Sequence, residues 1–399
     1  MGNLYRLNSL FEIEIKQFPG PIDFDKSMLV RSNIFDYLFL ALSSSEDYSL
    51  LGEKPSEELL DYWQKNKLET GKPIQIEEPY YDHELFLSKN LLKKNVLVEW
   101  GNTSSVNKDG SGIKRKGKTI LLSRELNSKY TQLLWKEKLK LNRLNSVICT
   151  SALEVDYAVS TMKFPIVLKT EFGFSGRGNF IIKDKKELKE NLYRIKVAIR
   201  ENANRIIVEE WVGDKRMHDF SGLFDINKRS VEFVALTHMF IDQFGSYKGT
   251  VIRKEEDRKV REEVYNELAQ YLGFFGKCNG PISMDGFTFK KDGLIETQYM
   301  SEINFRWSMG RILFELDKKI GKSENDRALV FVSIKAKELK FKTVLSELNK
   351  LIKENKNQIL LLTPIQNENG KLNPFACFYL SGEYKKLINS QEQLKKLLA

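Results

Sequence analysis

The 399-residue chain is poor in the residues that form disulfides or bind zinc, with three cysteines and three histidines. Cys149, Cys278 and Cys377 are widely spaced and odd in number, so neither a disulfide framework nor a zinc-binding spacing can be built from them. We interpret them as small buried thiols. The sequence also lacks a Ser–His or Cys–His pattern of the kind that nucleophilic catalysis requires.

Long hydrophobic runs are also missing. A membrane-spanning helix needs about 18 or more consecutive apolar residues, and no such run occurs. The N-terminal residues MGNLYRLNSL lack the apolar core of a signal peptide, and Arg6 stands where a myristoylation motif requires Ser or Thr. We therefore expect a cytoplasmic protein that makes no contact with a membrane.

The charge is positive but evenly distributed. Lysine and arginine number 64 against 54 acidic residues, which gives a net charge of +10. Many lysines alternate with glutamates in segments such as 183–196 and 335–356, a pattern typical of solvated helix faces. We expect no nucleic-acid partner, because this charge suffices to attract a small anionic substrate such as a nucleotide.

The first part of the chain has the pattern of a small α/β domain. Residues 1–28 end near Pro19-Gly20-Pro21, which interrupts regular structure, and we set them apart as an N-terminal extension. Residues 29–119 alternate between strand and helix patterns, which favours a parallel sheet. The predicted strands are 36–44 and 95–101, and the predicted helices are 56–71 and 83–94.

Two further regions follow: a domain at residues 120–320 and a C-terminal α/β segment at 321–399 that we expect to pack on it. The predicted strands are 118–126, 205–212, 327–334 and 358–364, with strand pairs in 163–184, 219–242 and 280–306. The predicted helices are 128–144, 185–203, 261–276, 335–355 and an amphipathic helix at the C-terminus. The Asp-Gly pair at 292–293 is a strong hairpin signal.

A glycine-rich loop lies in KTEFGFSGRGNFII, residues 169–182. Gly173, Gly176 and Gly178 allow backbone amides to approach an anion closely, and Lys169 precedes them at the end of a strand. A Rossmann or Walker loop would lead into a helix, whereas residues 179–182 have a strand pattern. The sequence therefore predicts a flap between antiparallel strands rather than a dinucleotide or P-loop site.

Two more strands carry polar groups. The strand in IIVEEWVGD, residues 206–214, turns acidic at Glu209 and Glu210. In SEINFRWSMG, Glu302, Asn304 and Arg306 alternate and so share one strand face. Asp285 lies in the partner strand, and carboxylate and amide oxygens are suited to one or two Mg²⁺ ions, with Mn²⁺ as an alternative.

The order of these three motifs over residues 120–312 resembles the ATP-grasp superfamily, carboxylate–amine ligase type, and residues 29–119 resemble the small Rossmann-like domain that precedes it. The resemblance implies a fold of the α/β and α+β classes, in which two α+β lobes grip ATP. It also implies an activity, the phosphorylation of a carboxylate to an acylphosphate that an amine then attacks.

The resemblance also implies roles for individual residues. Lys169 matches the second phosphate-binding lysine, and Lys129 matches the first, with Lys136 and Lys138 as alternatives. Lys169, Arg177 and Arg306 would be catalytic, Arg306 facing the acyl substrate and Ser175 and Arg177 lying at the flap tip. Asp285, Glu302 and Asn304 would hold Mg²⁺. The cofactor-binding set would be Lys129, Lys169, Gly176, Gly178, Glu209, Glu210, Val212 and Asp214, the last as the ribose-binding acid.

The resemblance favours an ATP- and Mg²⁺-dependent ligase of a small-molecule carboxylate and an amine, with amino-acid or peptide ligation as the expected reaction. Two alternatives stay open at this stage. One is a kinase of the same fold that phosphorylates a hydroxyl group, and the other is a non-catalytic nucleotide-binding protein. A homodimer is a further expectation.

Overall fold

The computed structural model describes residues 2–20, 22, 25–76, 85–87, 89–108, 112–173, 178–201, 205–227, 230–241, 247–255, 257–276, 278–321 and 324–399. Its helices are α1 (Phe11–Gln17), α2 (Lys26–Leu42), α3 (Glu57–Lys65), α4 (Lys89–Lys94), α5 (Gly117–Leu126), α6 (Lys129–Leu139), α7 (Ala152–Thr161), α8 (Lys185–Glu201), α9 (Arg258–Tyr271), α10 (Met309–Ile320), α11 (Phe341–Asn355) and α12 (Tyr384–Leu397). Its strands are β1 (Gly2–Arg6), β2 (Tyr48–Leu51), β3 (Lys72–Gln75), β4 (Leu85–Phe86), β5 (Asn95–Glu99), β6 (Ser104–Val106), β7 (Gly112–Arg115), β8 (Ser146–Cys149), β9 (Ile166–Lys169), β10 (Asn179–Ile182), β11 (Ile206–Glu210), β12 (Arg216–Asn227), β13 (Ser230–Ile241), β14 (Tyr247–Ile252), β15 (Gly280–Lys291), β16 (Leu294–Asn304), β17 (Asp326–Ser333), β18 (Gln358–Leu361) and β19 (Phe375–Gly382).

A four-stranded parallel sheet begins the chain, with the strand order β3-β2-β1-β5. This confirms the small parallel α/β layer that the sequence predicts. Strand β1 pairs with both β2 and β5, so part of the segment that we set apart as an N-terminal extension lies inside this sheet. The domain limits at residues 28, 119 and 320 stay predictions.

The predicted strand at 36–44 is wrong, because residues 36–42 belong to helix α2 and residues 43 and 44 follow its end. Asp25 caps this helix by accepting a hydrogen bond from the Ser27 amide at 2.9 Å. Residues 37–42 are all buried, so the helix shows no polar face there and its apolar run has the appearance of a strand.

Two neighbouring assignments also need correction. Residues 118–126 form helix α5 rather than a strand, since Ile120, Ser123 and Leu126 are buried at helical spacing while Leu121 is 54% exposed. The predicted helix at 83–94 covers α4, but Leu85–Phe86 pairs with β7 as strand β4. Residues 83, 84 and 88 lie outside the described part of the chain.

A second, antiparallel sheet has the order β10-β9-β11-β8. Helices α7 and α8 cover it, and its apolar residues form a separate core that includes Ile166, Ile195 and Val208. Strands β9 and β10 flank the glycine-rich loop and pair antiparallel. The predicted strand–loop–strand unit is therefore confirmed.

The largest sheet has eight strands in the order β16-β15-β12-β13-β14-β17-β19-β18. The hairpin of β15 and β16 turns at Asp292 and Gly293, whose φ angles of 49° and 81° match the left-handed conformation that this pair favours. Strand β19 was missed in the sequence. It is buried throughout, with alternate residues in two different apolar cores, so it lacks the polar alternation that marks a half-buried strand.

The C-terminal strands join the parallel-sheet domain to the large sheet. The Trp63 indole of α3 is fully buried and donates a hydrogen bond to the Leu361 carbonyl of β18 at 2.8 Å. Lys319 of α10 donates to the Ala41 carbonyl at the end of α2, at 2.8 Å. These contacts fix the first part of the chain against the sheet that carries the β15–β16 hairpin.

We expect Trp63→Ala to lower the free energy of unfolding by about 3–5 kcal/mol, because it removes a buried aromatic side chain and leaves the Leu361 carbonyl without this donor. The measurement is the midpoint of chemical unfolding. Leu153→Ala is the control, since Leu153 is 80% exposed, and it should change stability by about 0.5 kcal/mol or less. Equal effects of the two substitutions would contradict this role for Trp63.

Candidate active site

Two cavities share the side chains of Lys129 and Glu302 as lining residues. The larger cavity has a volume of about 170 Å³ and lies between the β8–β11 sheet and the β15–β16 hairpin. The smaller one, of about 10 Å³, lies on the side of helix α1. The apolar wall of the larger cavity consists of Leu133, Leu144, Ile181, Ile207, Trp211, Val212 and Phe287.

Helix α6 directs one face into the larger cavity. Ser128 caps the helix by accepting a hydrogen bond from the Thr131 amide at 3.3 Å, and Lys129 is its first residue. Lys129, Leu133 and Lys136 follow at spacings of four and three, which places them on one helix face. The Lys129 Nζ lies 3.0 Å from Glu302 Oε2.

The structure separates the alternatives for the first lysine. Lys129 and Lys136 both line the larger cavity, whereas Lys138 lies over the Phe274 ring, 5.4 Å from its centroid. Lys136 is only 5% exposed, and burial lowers the pKa of its ammonium. The cavity therefore receives two cationic side chains from a single helix.

Lys169 ends strand β9 and forms an ion pair with Glu209 of the neighbouring strand β11. The other Glu209 oxygen accepts a hydrogen bond from the Ser146 hydroxyl at 3.0 Å. Burial favours the neutral acid, but the charges of Lys169 and Lys136 outweigh it and hold the pKa of Glu209 below its usual value. Glu209 is thus an ionised partner that positions the Lys169 ammonium at the cavity.

The base of the glycine-rich loop is closed by backbone pairing. The Thr170 amide donates to the Gly178 carbonyl at 3.0 Å. Gly178 has a φ of +85°, and a Cβ there would overlap the Thr170 hydroxyl, so this position requires glycine. The predicted loop residues Ser175, Gly176 and Arg177 lie outside the described residues, as does the side chain of Asp214.

The end of β11 forms a further wall of the larger cavity. Glu210 and Val212 line it together with Glu209, as the sequence predicts for one pocket. Arg216 lines it as well and was not predicted to do so. Its guanidinium lies 3.8 Å from the centroid of the Phe287 ring and pairs with Asp219 at 2.7 Å. Arg216 is the first residue of β12, and no sequence motif around it indicates a place in this cavity.

The β15–β16 hairpin brings the predicted metal ligands together. Asp285 and Glu302 are directly opposite each other in the strand register, and the Asn304 amide donates to Asp285 Oδ2 at 3.0 Å. Burial, followed by the charge of Glu302, raises the pKa of Asp285 to about 7. Burial also acts on Glu302, but the adjacent Lys129 holds its pKa below the usual value.

This donor set fits a divalent cation. Two partly buried carboxylates face each other beside an amide, and a cation between them would favour the ionised form of Asp285, whose pKa burial and the charge of Glu302 raise. Within the described residues, no group of three or more His, Cys, Asp or Glu side chains could hold a metal ion. Asp285, Glu302 and Asn304 would therefore leave coordination positions open for phosphate and water, as is usual for Mg²⁺.

Strand β16 ends at Asn304, two residues before Arg306, so the prediction that Arg306 shares a strand face with Glu302 and Asn304 is wrong, although all three line the smaller cavity. The Arg306 Nε lies 2.6 Å from the Glu12 carboxylate of α1, and its guanidinium lies 5.3 Å from the Trp100 ring. Sequence reasoning missed Glu12, because nothing in its local pattern connects a helix near the N-terminus to the distant Arg306.

No protein-family model and no curated protein sequence matches this chain. Solved structures do. Phosphoribosylamine–glycine ligase from Thermotoga maritima is 12% identical, with 92% of this chain and 94% of that chain covered and a TM-score of 0.57. A carboxyaminoimidazole ribonucleotide synthase from Aspergillus clavatus, complexed with ATP, is 13% identical over 90% of this chain and 100% of that chain, with a TM-score of 0.55.

An L-amino acid ligase from Bacillus licheniformis is 10% identical, with 99% of this chain and 97% of that chain covered and a TM-score of 0.54. These similarities extend over nearly the whole length of both partners. The chain has the ATP-grasp fold. The fold that the resemblance implies is thus confirmed, and within the described residues no helix is long and apolar enough to cross a membrane.

We expect Asp285→Asn to stabilise the metal-free protein at pH 8 much more than at pH 5. The pKa of Asp285 is about 7 in the fold, against an ordinary value of 3.8. The folded state therefore binds the proton more tightly, and the wild type loses stability as the pH rises through this range. One pKa unit corresponds to about 1.4 kcal/mol, so the stability that Asp285→Asn gains over the wild type should be a few kcal/mol larger at pH 8 than at pH 5.

Unfolding midpoints at both pH values, measured in the presence of a chelator, test this expectation. Asp292→Asn, in the exposed turn of the same hairpin, is the matched control for the same chemical change at a site away from Glu302. A pH-independent difference between Asp285→Asn and the wild type would contradict the prediction.

Proposed function

We propose that this protein is an ATP- and Mg²⁺-dependent ligase that activates a carboxylate as an acylphosphate for attack by an amine. One observation carries the proposal: two cavities with different linings meet at the Lys129–Glu302 ion pair. A phosphoryl group and its acceptor must meet at one point, and this pair provides cationic and metal-binding groups there.

The larger cavity suits a nucleotide. Its apolar wall can take a purine, and Lys129 and Lys169 supply positive charge for the phosphates. Glu209 keeps Lys169 in place, and Glu210 and Val212 would border the base. Two of the structurally similar proteins were solved as complexes with ATP or ADP, which supports nucleotide binding in this cavity. Gly176, Gly178 and Arg177 would cover the phosphates, and Asp214 would bind the ribose.

The smaller cavity has room for about one water, and its lining presents the groups that a carboxylate would bind. Arg306 provides a fixed guanidinium beside Glu302 and Asn304, and a substrate carboxylate bound there lies next to the metal-binding hairpin. Mg²⁺, when bound at Asp285, Glu302 and Asn304, would neutralise charge on the phosphate oxygens. The lysines would contribute electrostatic stabilisation of the same kind.

The proposed reaction has two steps. A carboxylate oxygen attacks the γ-phosphorus of ATP, the bond to the β-phosphate oxygen breaks, and ADP leaves an acylphosphate behind. The amine nitrogen then attacks the acyl carbon, and inorganic phosphate leaves. We propose an amino acid or peptide as the carboxylate substrate, and the similarity to an L-amino acid ligase supports this choice. A cytoplasmic location and a homodimer stay predictions.

Glu302→Gln should reduce ATP consumption by about 100-fold or more, because it removes charge at the point where the two cavities meet. The assay measures ADP release with pooled amino acids and small carboxylic acids, with hydroxylamine added to trap the acylphosphate as a hydroxamate. Glu296→Gln, in the same strand β16 but outside both cavities, is the control and should retain activity.

Activity of Glu302→Gln within threefold of the wild type would contradict the proposed role. Formation of a stable phosphoester in place of a hydroxamate would identify a kinase instead. If ATP binds and no ADP forms with any acid and amine, the protein is not a ligase of these substrates.

A further inference from the structure

The larger cavity is lined by one buried cation that has no anion of its own. Lys136 of helix α6 is only 5% exposed at the point where it lines this cavity. Among the residues that the structure describes, its ammonium finds neither an ion-pair partner nor a hydrogen-bond acceptor. A buried cation is unfavourable unless an anion compensates it, so a bound ligand would supply what the fold does not.

The carboxylates near Lys136 are already engaged with other cations. Three of them act on its charge, and their pairs are Glu209 with Lys169, Glu302 with Lys129 at 3.0 Å, and Glu267 with Arg143 at 3.8 Å. Burial lowers the pKa of the Lys136 ammonium, and the positive charge of Lys169 acts in the same direction against the three carboxylates. Lys136 is therefore the cation left over when the neighbouring groups are paired.

The position of Lys136 along α6 indicates which part of a nucleotide it can reach. Lys129 is the first residue of the helix and lies where the two cavities meet. Lys136 follows two turns later, about 10 Å further along the axis. Of the charged groups around it, Glu209 and Lys169 act on it more strongly than Glu302 does. Its ammonium therefore belongs to the Lys169 part of the cavity rather than to the junction at Glu302.

We propose that Lys136 is a third nucleotide-binding lysine, which binds the phosphates that stay on the nucleoside while Lys129 and the β15–β16 hairpin act on the transferred phosphoryl group. This inference rests on the proposed function and deepens it by assigning a binding residue in addition to Lys129 and Lys169. A phosphate oxygen would accept a charge-assisted hydrogen bond from the buried ammonium and compensate its charge.

This assignment separates the kinetic role of Lys136 from that of Glu302. The charge on the phosphates that stay behind changes less during transfer than the charge on the transferred group. A cation bound to them stabilises the ground state and the transition state to a similar extent, so it lowers the KM for ATP more than it raises kcat. Glu302 lies at the junction of the cavities, and its loss should act mainly on kcat.

The experiment compares the wild type with Lys136→Met, which removes the charge and keeps an unbranched side chain. Calorimetry measures the binding of adenosine, ADP with Mg²⁺, and a non-hydrolysable ATP analogue with Mg²⁺. Thermal unfolding of the ligand-free protein is measured in parallel, and ADP release gives KM and kcat for ATP. Lys138→Met is the matched control, because Lys138 is an exposed lysine of the same helix that lines neither cavity.

We expect Lys136→Met to weaken the binding of ADP and of the ATP analogue by about 30-fold, with adenosine affinity unchanged. The KM for ATP should rise by a similar factor, and kcat should stay within about threefold of the wild type. The ligand-free variant should unfold about 1–2 °C higher than the wild type, because it no longer buries an unpaired charge. Lys138→Met should bind all three compounds as the wild type does.

Several results would overturn the inference. They are an ADP affinity of Lys136→Met equal to that of the wild type, an equal loss of affinity for adenosine and ADP, and a loss confined to the ATP analogue. A lower unfolding temperature of the ligand-free variant would do so as well, because it would indicate a structural role for the charge.

The inference and the proposed ligase reaction can fail separately. ADP binding that depends on Lys136, without turnover for any acid and amine, would support the inference and refute the ligase reaction. Ligase turnover with an unchanged KM for ATP in Lys136→Met would support the reaction and refute the inference.

Discussion

The opposition of Asp285 and Glu302 across one strand pair is the constraint around which the candidate site is arranged. Two partly buried carboxylates this close repel each other when both are ionised, and nearby cations reduce this repulsion. Lys129 reaches Glu302 from the first turn of α6, while Asp285 has the neutral side chains of Asn304 and Ser221 as hydrogen-bond partners, and its pKa is raised to about 7. Glu302 is therefore the carboxylate of the hairpin that ionises more readily, and a bound divalent cation would favour ionisation of Asp285 as well.

The larger cavity gathers several cationic side chains that can attract an anion such as a phosphate. The lining includes four cationic side chains, Lys129, Lys136, Lys169 and Arg216, and two of its acidic residues, Glu302 and Glu209, pair with Lys129 and Lys169. These cationic side chains come from α6, β9 and β12, which are distant in sequence but lie together around the cavity. This arrangement concentrates positive potential in a cleft, whereas the surface lysines are interspersed with glutamates.

Sequence reasoning succeeded where the signal was local. The Asp-Gly turn, the alternation of Glu302 and Asn304, and the glycines between two strand patterns each lie within a few residues, and the structure forms the hairpin and the strand–loop–strand unit as predicted. It failed where burial removed the polar face, as in helix α2 and strand β19. It also could not find Glu12, whose significance depends on a partner from the opposite part of the chain.

The buried hydrogen bond from Trp63 to Leu361 restricts how the parts of the fold can move against each other. It ties the parallel-sheet domain to the sheet that carries the hairpin, so Glu12 and Arg306 belong to one continuous base. The β8–β11 sheet has a core of its own and lines the larger cavity, and the loop after β9 reaches the smaller cavity through Phe172 and Gly173. Any movement of this sheet would therefore change both cavities at once, so access of the nucleotide and the shape of the neighbouring compartment would be coupled.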